Sequence, residues 1–285
     1  MRRKGLLAPG LVAMALAAAG PAQGAVTIGN NLTTTEATNM PGCNIACTAT
    51  NRTLPPTSTA PGGVTSPVNG TVTSWRLRAN AAPSVRLRVL RPGGGTTFTG
   101  VATSGPAGFA GPGISGPIAT SLPIQVGDGI GLDSPNGNLI FGSNLLGDTL
   151  FWNAPPLADG SQRAADGSGP MVEVLVQATI EPTNTVTFGA ITRNKKQGTA
   201  TVAMTVPNAG QLSYSGTGVN VTGPVTVAAP GEVQLAISAI GKKRKKLKRK
   251  GKAGVSFTVT FTPTLGGTGN SNESLTLRKK LKQKK

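Results

Sequence analysis

The chain has 285 residues, with 28 basic side chains against 10 acidic ones and no histidine. The lack of histidine excludes the Ser-His-Asp and Cys-His catalytic designs, and with only two cysteines it leaves no complement for a zinc site. Charged residues are 13% of the chain, about half the usual ~25%, yet apolar residues at 38% still suffice for packed cores.

Met1-Arg2-Arg3-Lys4 is a cationic start, followed from Leu6 to Ala19 by a run built mainly of Leu, Ala, Val and Met. Ala22 and Gly24 then place small residues where a signal peptidase reads. That order predicts a secretory signal peptide over residues 1–24 and an extracytoplasmic protein, secreted or held at the cell surface. A buried N-terminal helix is the competing reading, and nothing nearby offers it helical partners. Arg2-Arg3 also suggests a twin-arginine route, whose flanking residues fit poorly. The apolar run is shorter than the ~20 residues a bilayer span needs, and no later run reaches that length.

After the signal, 40 glycines and 22 prolines are spread among Thr, Ser, Asn and Val. This predicts many short strands joined by turns, an all-β chain. Charge divides it in two. Residues 25–182 hold seven arginines, no lysine and eight acidic residues, a net −1, whereas residues 183–285 hold 18 basic and two acidic residues, a net +16. Glu181-Pro182-Thr183-Asn184-Thr185 sits at the break and reads as a linker between domains 25–182 and 183–285.

Cys43 and Cys47 are separated by three residues. A bridge needs Cα atoms within ~7 Å, against ~13 Å along an extended strand, so residues 41–47 should turn and close a structural disulfide. A redox or metal pair is the alternative, but the spacing is not that of thioredoxin-like sites. Thr71–Arg78 and Ser84–Arg91 alternate strongly and are joined by a short link, a plausible hairpin. It would turn Val85, Leu87 and Val89 inward, and Arg86, Arg88 and Arg91 outward beside Arg76 and Arg78. Further candidates are 26–28, 48–50, 96–103, 121–126, 129–132, 138–141, 149–153 and 171–180. Nine or ten short strands suit a jelly-roll-like sandwich. Past the linker, candidates at 186–191, 199–206, 210–215, 219–221, 225–228, 233–240, 254–262 and 274–277 suit a smaller Ig-like sandwich without the Cys-Trp-Cys signature.

The stretches Val72–Arg91, Ser121–Asp133 and Val172–Pro182 resemble exported, largely uncharacterised two-domain β-sandwich proteins of high-GC actinobacteria. Ile191–Pro207 and Gly241–Pro263 are similar to a basic Ig-like C-terminal module found on such proteins. The resemblance implies secretion and sandwich folds, and no reaction.

Lys242, Lys243, Arg244, Lys245, Lys246, Lys248, Arg249, Lys250 and Lys252 make nine basic residues in eleven. Between two strand candidates, this run should be the protruding, extended and hydrated loop of a hairpin, because like charges repel. Arg278, Lys279, Lys280 and Lys282 open a second cluster at the chain's end, and the two could share one pole. Lysines act as point charges suited to strings of phosphate or carboxylate. The expected partner is an anionic cell-wall glycopolymer or acidic polysaccharide, or else an anionic lipid surface. Nucleic acid is disfavoured by export and by the lack of interleaved aromatics. A solubilising segment with no ligand is the plain alternative.

No catalytic residue, metal or cofactor is expected. Asp128 with Asp133, or Asp159 with Asp166, could form an acid–base pair or bind calcium, but aspartates in such loops more often cap turns. The arginine face could hold a carboxylate, or simply discourage edge pairing. Trp75 and Trp152 could stack on sugars, although strand context favours core positions. Asn31, Asn51, Asn69 and Asn220 head Asn-x-Thr/Ser triplets of little weight in so Thr-rich a chain. The leading expectation is an exported, non-enzymatic envelope protein adhering through its basic domain. The alternative is a carbohydrate-binding protein, less readily a carbohydrate-acting one, with the first sandwich as its ligand module.

Overall fold

The computed structural model describes residues 24–39, 43–79, 84–109, 111–137, 139–220 and 224–281. The signal peptide expected over residues 1–24 lies outside these residues apart from Gly24, and so does Lys282. The first twelve strands are β1 (Val26–Gly29), β2 (Glu36–Asn39), β3 (Cys47–Thr53), β4 (Gly70–Ala79), β5 (Arg86–Gly94), β6 (Thr97–Thr103), β7 (Gly113–Ile124), β8 (Gly129–Ser134), β9 (Ile140–Asn153), β10 (Gln162–Ala164), β11 (Gly167–Val174) and β12 (Val176–Pro182). The remainder are β13 (Thr187–Asn194), β14 (Thr199–Val206), β15 (Gly210–Ser215), β16 (Val219–Asn220), β17 (Val225–Val227), β18 (Gly231–Ala239), helix α1 (Gly241–Lys250), β19 (Lys252–Pro263) and β20 (Gly269–Arg278). The described residues are all-β apart from α1 and form sandwich-like domains of antiparallel sheets.

In the first half, a four-stranded sheet ordered β1-β12-β4-β7 faces a larger sheet ordered β10-β6-β5-β8-β3-β9-β11, with β2 against β9. Ile28, Val72, Trp75, Leu77, Leu87, Val89, Leu132 and Val176 share one buried core. The expected hairpin between residues 71–78 and 84–91 does not form. β4 pairs with β12 and β7, while β5 pairs with β6 and β8. Both strands alternate apolar and polar residues, and each gives its apolar face to the same core. Alternation fixes which face is buried, not which strand lies alongside.

The two cysteines are joined by a disulfide with Cα atoms 5.6 Å apart, the chain bending through Asn44, Ile45 and Ala46. The expected bridge is present, and of the turn expected over residues 41–47 the described part, 43–47, bends as read.

Arg88 does not stand on an open face. It points away from the main core, but Leu157 and the segment around it cover that side of β5. Leu90, Leu150, Trp152 and Leu157 form a second, smaller cluster there. Arg88 is buried in this cover, its guanidinium bonding Asp133 at 2.7 Å and Asp159 at 2.8 Å. Thr48 Oγ1 also donates to Asp133, at 2.6 Å.

In the second half, sheets β13-β14-β18-β16 and β17-β15-β19-β20 enclose Val202, Met204, Leu235, Ile237, Phe257, Val259 and Phe261. In β19, Val255, Phe257, Val259 and Phe261 are buried while Ser256 and Thr262 are exposed. That is the alternation read from the sequence. Phe188 meets Phe257 edge to face, with ring centroids 5.9 Å apart.

A polar clip joins the halves. The Asn69 amide donates to Asn208 Oδ1 at 2.7 Å, and Asn208 Nδ2 donates to the carbonyls of Asn69 and Thr183 at 3.0 and 2.8 Å. Asn69 Nδ2 reaches the Pro207 carbonyl at 2.6 Å. The clip places the β14–β15 turn at the junction. The opposite ends of β14 and β19 therefore point away from it, at roughly 25–40 Å given ~3.3 Å per strand residue.

Candidate functional site: a basic pole

Four pieces of chain meet at that distal end. The first is the β13–β14 turn, closed by Gly198 N–H to the Asn194 carbonyl at 2.7 Å. Asn194 Oδ1 accepts from the amides of Lys196 and Gln197 at 3.1 and 3.0 Å. The turn thereby presents exposed Lys195 and Lys196. Arg193 reaches across to the other sheet, donating to the Thr276 carbonyl at 3.1 Å.

The second piece is α1. The lysine-rich run was expected as an extended hairpin loop, but it is a helix crossing from β18 in one sheet to β19 in the other. Like-charge repulsion does act on it. Among its 10 residues, eight are basic, with four cationic pairs at i,i+4 and four at i,i+3. At ~0.2–0.5 kcal/mol each, these oppose the helix by roughly 2–4 kcal/mol. Its N-terminus has neither an acidic first turn nor a side-chain cap on Ile240. Three features offset this. Leu247 is only 4% exposed and packs in the second core, which contributes about 2 kcal/mol. Gly251 adopts the left-handed conformation at φ 68° and returns its N–H to Leu247. Lys248, Arg249 and Lys250 occupy the last turn, where the helix dipole favours cations.

The third and fourth pieces are Lys252, which opens β19, and the chain after β20. Lys252 lies opposite Arg278. The Lys279 amide donates to the Gly251 carbonyl, and the Lys280 amide to the Lys195 carbonyl, both at 2.8 Å. These bonds bring the two lysine clusters together with the β13–β14 turn. Several open clefts result. One of about 600 Å³ includes Arg193, Lys243 and Arg278. A second, about 400 Å³, is lined by Lys195, Lys250, Gly251, Lys252, Arg278, Lys279 and Lys280. A third, about 330 Å³, includes Arg244, Lys248 and Lys279. Arg278 and Lys279 are each shared between two clefts, so the basic surface is continuous, and among the described residues no aromatic side chain lines these clefts.

Lys242, Arg244, Lys245, Lys246, Lys248, Arg249, Lys250, Lys252, Arg278 and Lys280 are exposed, while Lys243 and Lys279 are half-buried. Lys243 Nζ donates to the Gly254 carbonyl at 2.8 Å. Among the described residues, every ion pair joins side chains between Glu36 and Asp166, and none includes a cation of the pole. The two acidic residues of this half lie elsewhere. Glu232 begins β18, whose other end leads to α1, and Glu273 is in the middle of β20. Sequence reasoning missed Arg193, Lys195 and Lys196, although their Arg-Asn-Lys-Lys run ahead of Gly198 was visible.

The other candidates are taken up internally. Asp128 is buried, accepts two bonds from Arg91 at 2.8 and 2.9 Å, and caps its own turn through the Gln125 amide at 2.9 Å. That bond to Asp128 raises the Arg91 pKa. Asp133 and Asp159 hold Arg88, while Asp166 meets Arg163 at 3.3 Å. Among the described residues no three His, Cys, Asp or Glu side chains gather to hold a metal. Of the expected arginine face, Arg76 and Arg86 are exposed, Arg78 pairs with Glu36 at 3.1 Å, and Arg88 and Arg91 are engaged as above. The Glu36 carboxyl is held below its usual range by a hydrogen bond from its own amide, then by Arg78, against an opposing effect of burial.

Trp75 and Trp152 are fully buried, each edge-on to a phenylalanine, so neither can stack on a sugar. Asn51 is buried with its side chain bonded to the Val174 backbone, and Asn69 is held in the clip, so neither amide is free to carry a glycan. No family model matches this chain, and no curated protein or solved structure is detectably similar to it.

Proposed function

We propose that this is an exported, non-enzymatic protein of the cell envelope that adheres to anionic polymer through the basic pole. One observation carries the reading. The cations of the β13–β14 turn, α1, Lys252 and Arg278–Lys280 converge on one continuous surface, and among the described residues no acidic side chain pairs with them. Keeping so many like charges together is a cost to folding that a soluble scaffold need not bear. A polyanion recovers that cost as binding energy. The signal-like residues 1–24 favour export, which directs the pole toward wall glycopolymer, acidic polysaccharide or anionic lipid rather than nucleic acid. The pole's lack of aromatics supports a surface that reads charge rather than sugar shape. The sheet architecture suits a jelly-roll-like first domain and an Ig-like second one, in keeping with the exported two-domain proteins that the sequence resembles.

The first half exposes a few large apolar side chains of its own. Leu145 and Leu146 on β9 are 82% and 70% exposed, beside half-exposed Met171 at a bulge in β11.

Fractionation of the native cells tests the reading. The protein should be in the envelope fraction and should leave it in a high-salt wash that spares integral proteins. Recovery in the cytosol with residues 1–24 still attached, or retention in the envelope at molar salt, would refute it.

A further inference from the structure

α1 is helical against its own charge. Seven of its eight cations are exposed around the helix, the eighth, Lys243, lies one turn from buried Leu247 and donates to the Gly254 carbonyl, and four pairs stand a full turn apart. Leu247 is its one fully buried side chain, the N-terminus is uncapped, and 10 residues is below the length at which an isolated helix holds in water. The flanks, by contrast, are fixed independently of the helix: β18 by β14, and β19 by β15 and β20. The segment can therefore lose its helix while the sandwich stands.

We propose that the bound polyanion folds α1, so that binding at the pole and formation of the helix are one event. This rests on the pole being a polyanion site. Neutralising the cations removes the repulsion and leaves Leu247 burial and the Gly251 cap to act unopposed. The occupant must be a multivalent chain rather than a lone anion. The charges lie around the helix and continue through Arg278 and Lys279 into neighbouring clefts, so one small anion meets too few of them. Such coupling makes binding steep in ligand length, because a chain too short to neutralise several cations also fails to form the helix.

The test uses the intact protein at low salt, with sodium polyphosphate as the probe. Backbone 13Cα shifts of residues 241–250 report the helix, and calorimetry on the same samples reports binding. The 13Cα shifts should move from near-coil to helical values as polyphosphate saturates the site. The two titrations should share one midpoint, and inorganic monophosphate at equal total phosphate should leave the shifts unmoved. Molar sodium chloride without polyphosphate should also raise helicity, by screening. A variant with Lys245→Gln, Lys246→Gln, Lys248→Gln and Arg249→Gln should be helical from the start. Fully helical shifts in the unliganded wild type at low salt would overturn the coupling, as would binding that leaves the shifts unchanged. Either result would leave the adhesive reading intact. Absence of binding, with neither heat nor a shift change anywhere on the pole, would overturn both.

Discussion

Arg88 offers a quantitative check on the first sandwich. Its guanidinium is 7% exposed and bonds Asp133, itself 10% exposed, at 2.7 Å, while its second partner, Asp159, is half exposed at 50%. Arg88→Ala leaves the Asp133 carboxylate buried with Thr48 as its remaining side-chain donor. Removing one partner of a buried pair costs about 3–5 kcal/mol. At ~2–4 °C per kcal/mol for a domain of this size, the melting temperature should fall by about 6–20 °C. Asp159→Ala breaks a bond that solvent already screens and should cost about 1 kcal/mol or less. Arg88→Met with Asp133→Leu removes both charges together and should recover most of the loss. Tryptophan fluorescence reads this unfolding selectively, since Trp75 and Trp152 both lie in the first half. The reasoning fails if Arg88→Ala is no more destabilised than Asp159→Ala, or if the double replacement restores nothing.

Asn208→Ala strips the clip of its side chain and leaves the Asn69 amide and two carbonyls short of partners. It should cost about 1–3 kcal/mol and speed proteolysis at residues 183–185; an unchanged cleavage rate would contradict the clip's role. Reducing the Cys43–Cys47 bridge opens a small loop and should cost about 2 kcal/mol by chemical denaturation, with the sandwich still folded. Complete unfolding on reduction would show that the bridge supports more than its own turn. Glu36 titrates below its unfolded value. Its contribution is therefore present above the unfolded pKa and lost as pH falls through the depressed folded one. The stability gap between wild type and Glu36→Gln should be full at neutral pH and close in acid, and a gap constant from pH 7 to pH 2 would refute the assignment.

Much of the strand content could be read from the chain because half-buried strands alternate. β14 and β15 fall on the expected residues, and β19 shows the burial its Val-Phe-Val-Phe series implies. Pairing was harder. Residues 71–78 and 84–91 looked like neighbours because the link between them is short, yet they lie in facing sheets. β9 runs unbroken through Leu145 and Leu146, where the sequence suggested two strands. Arg88 was assigned to the correct side of its strand, but nothing local revealed that Leu157 would cover that side. α1 was misread because charge repulsion was weighed alone. Leu247 and Gly251 were the signals of an anchored, capped helix, and both stood in plain view within the lysine run. The convergence of the pole depends on backbone bonds from Lys279 and Lys280 to residues far away in sequence, which composition cannot disclose.

The most direct test of the adhesive pole is the salt dependence of binding to purified wall polymer. Intact wild type should be compared with a variant carrying Lys195→Gln, Lys250→Gln, Lys252→Gln and Lys280→Gln. If the pole is the contact, log K should fall linearly with log salt, as counterion release requires, with a slope that steepens with each contacted charge. The variant should then bind more weakly with a shallower slope. Equal slopes for the two proteins, or affinity indifferent to salt, would show that the pole does not hold the polymer.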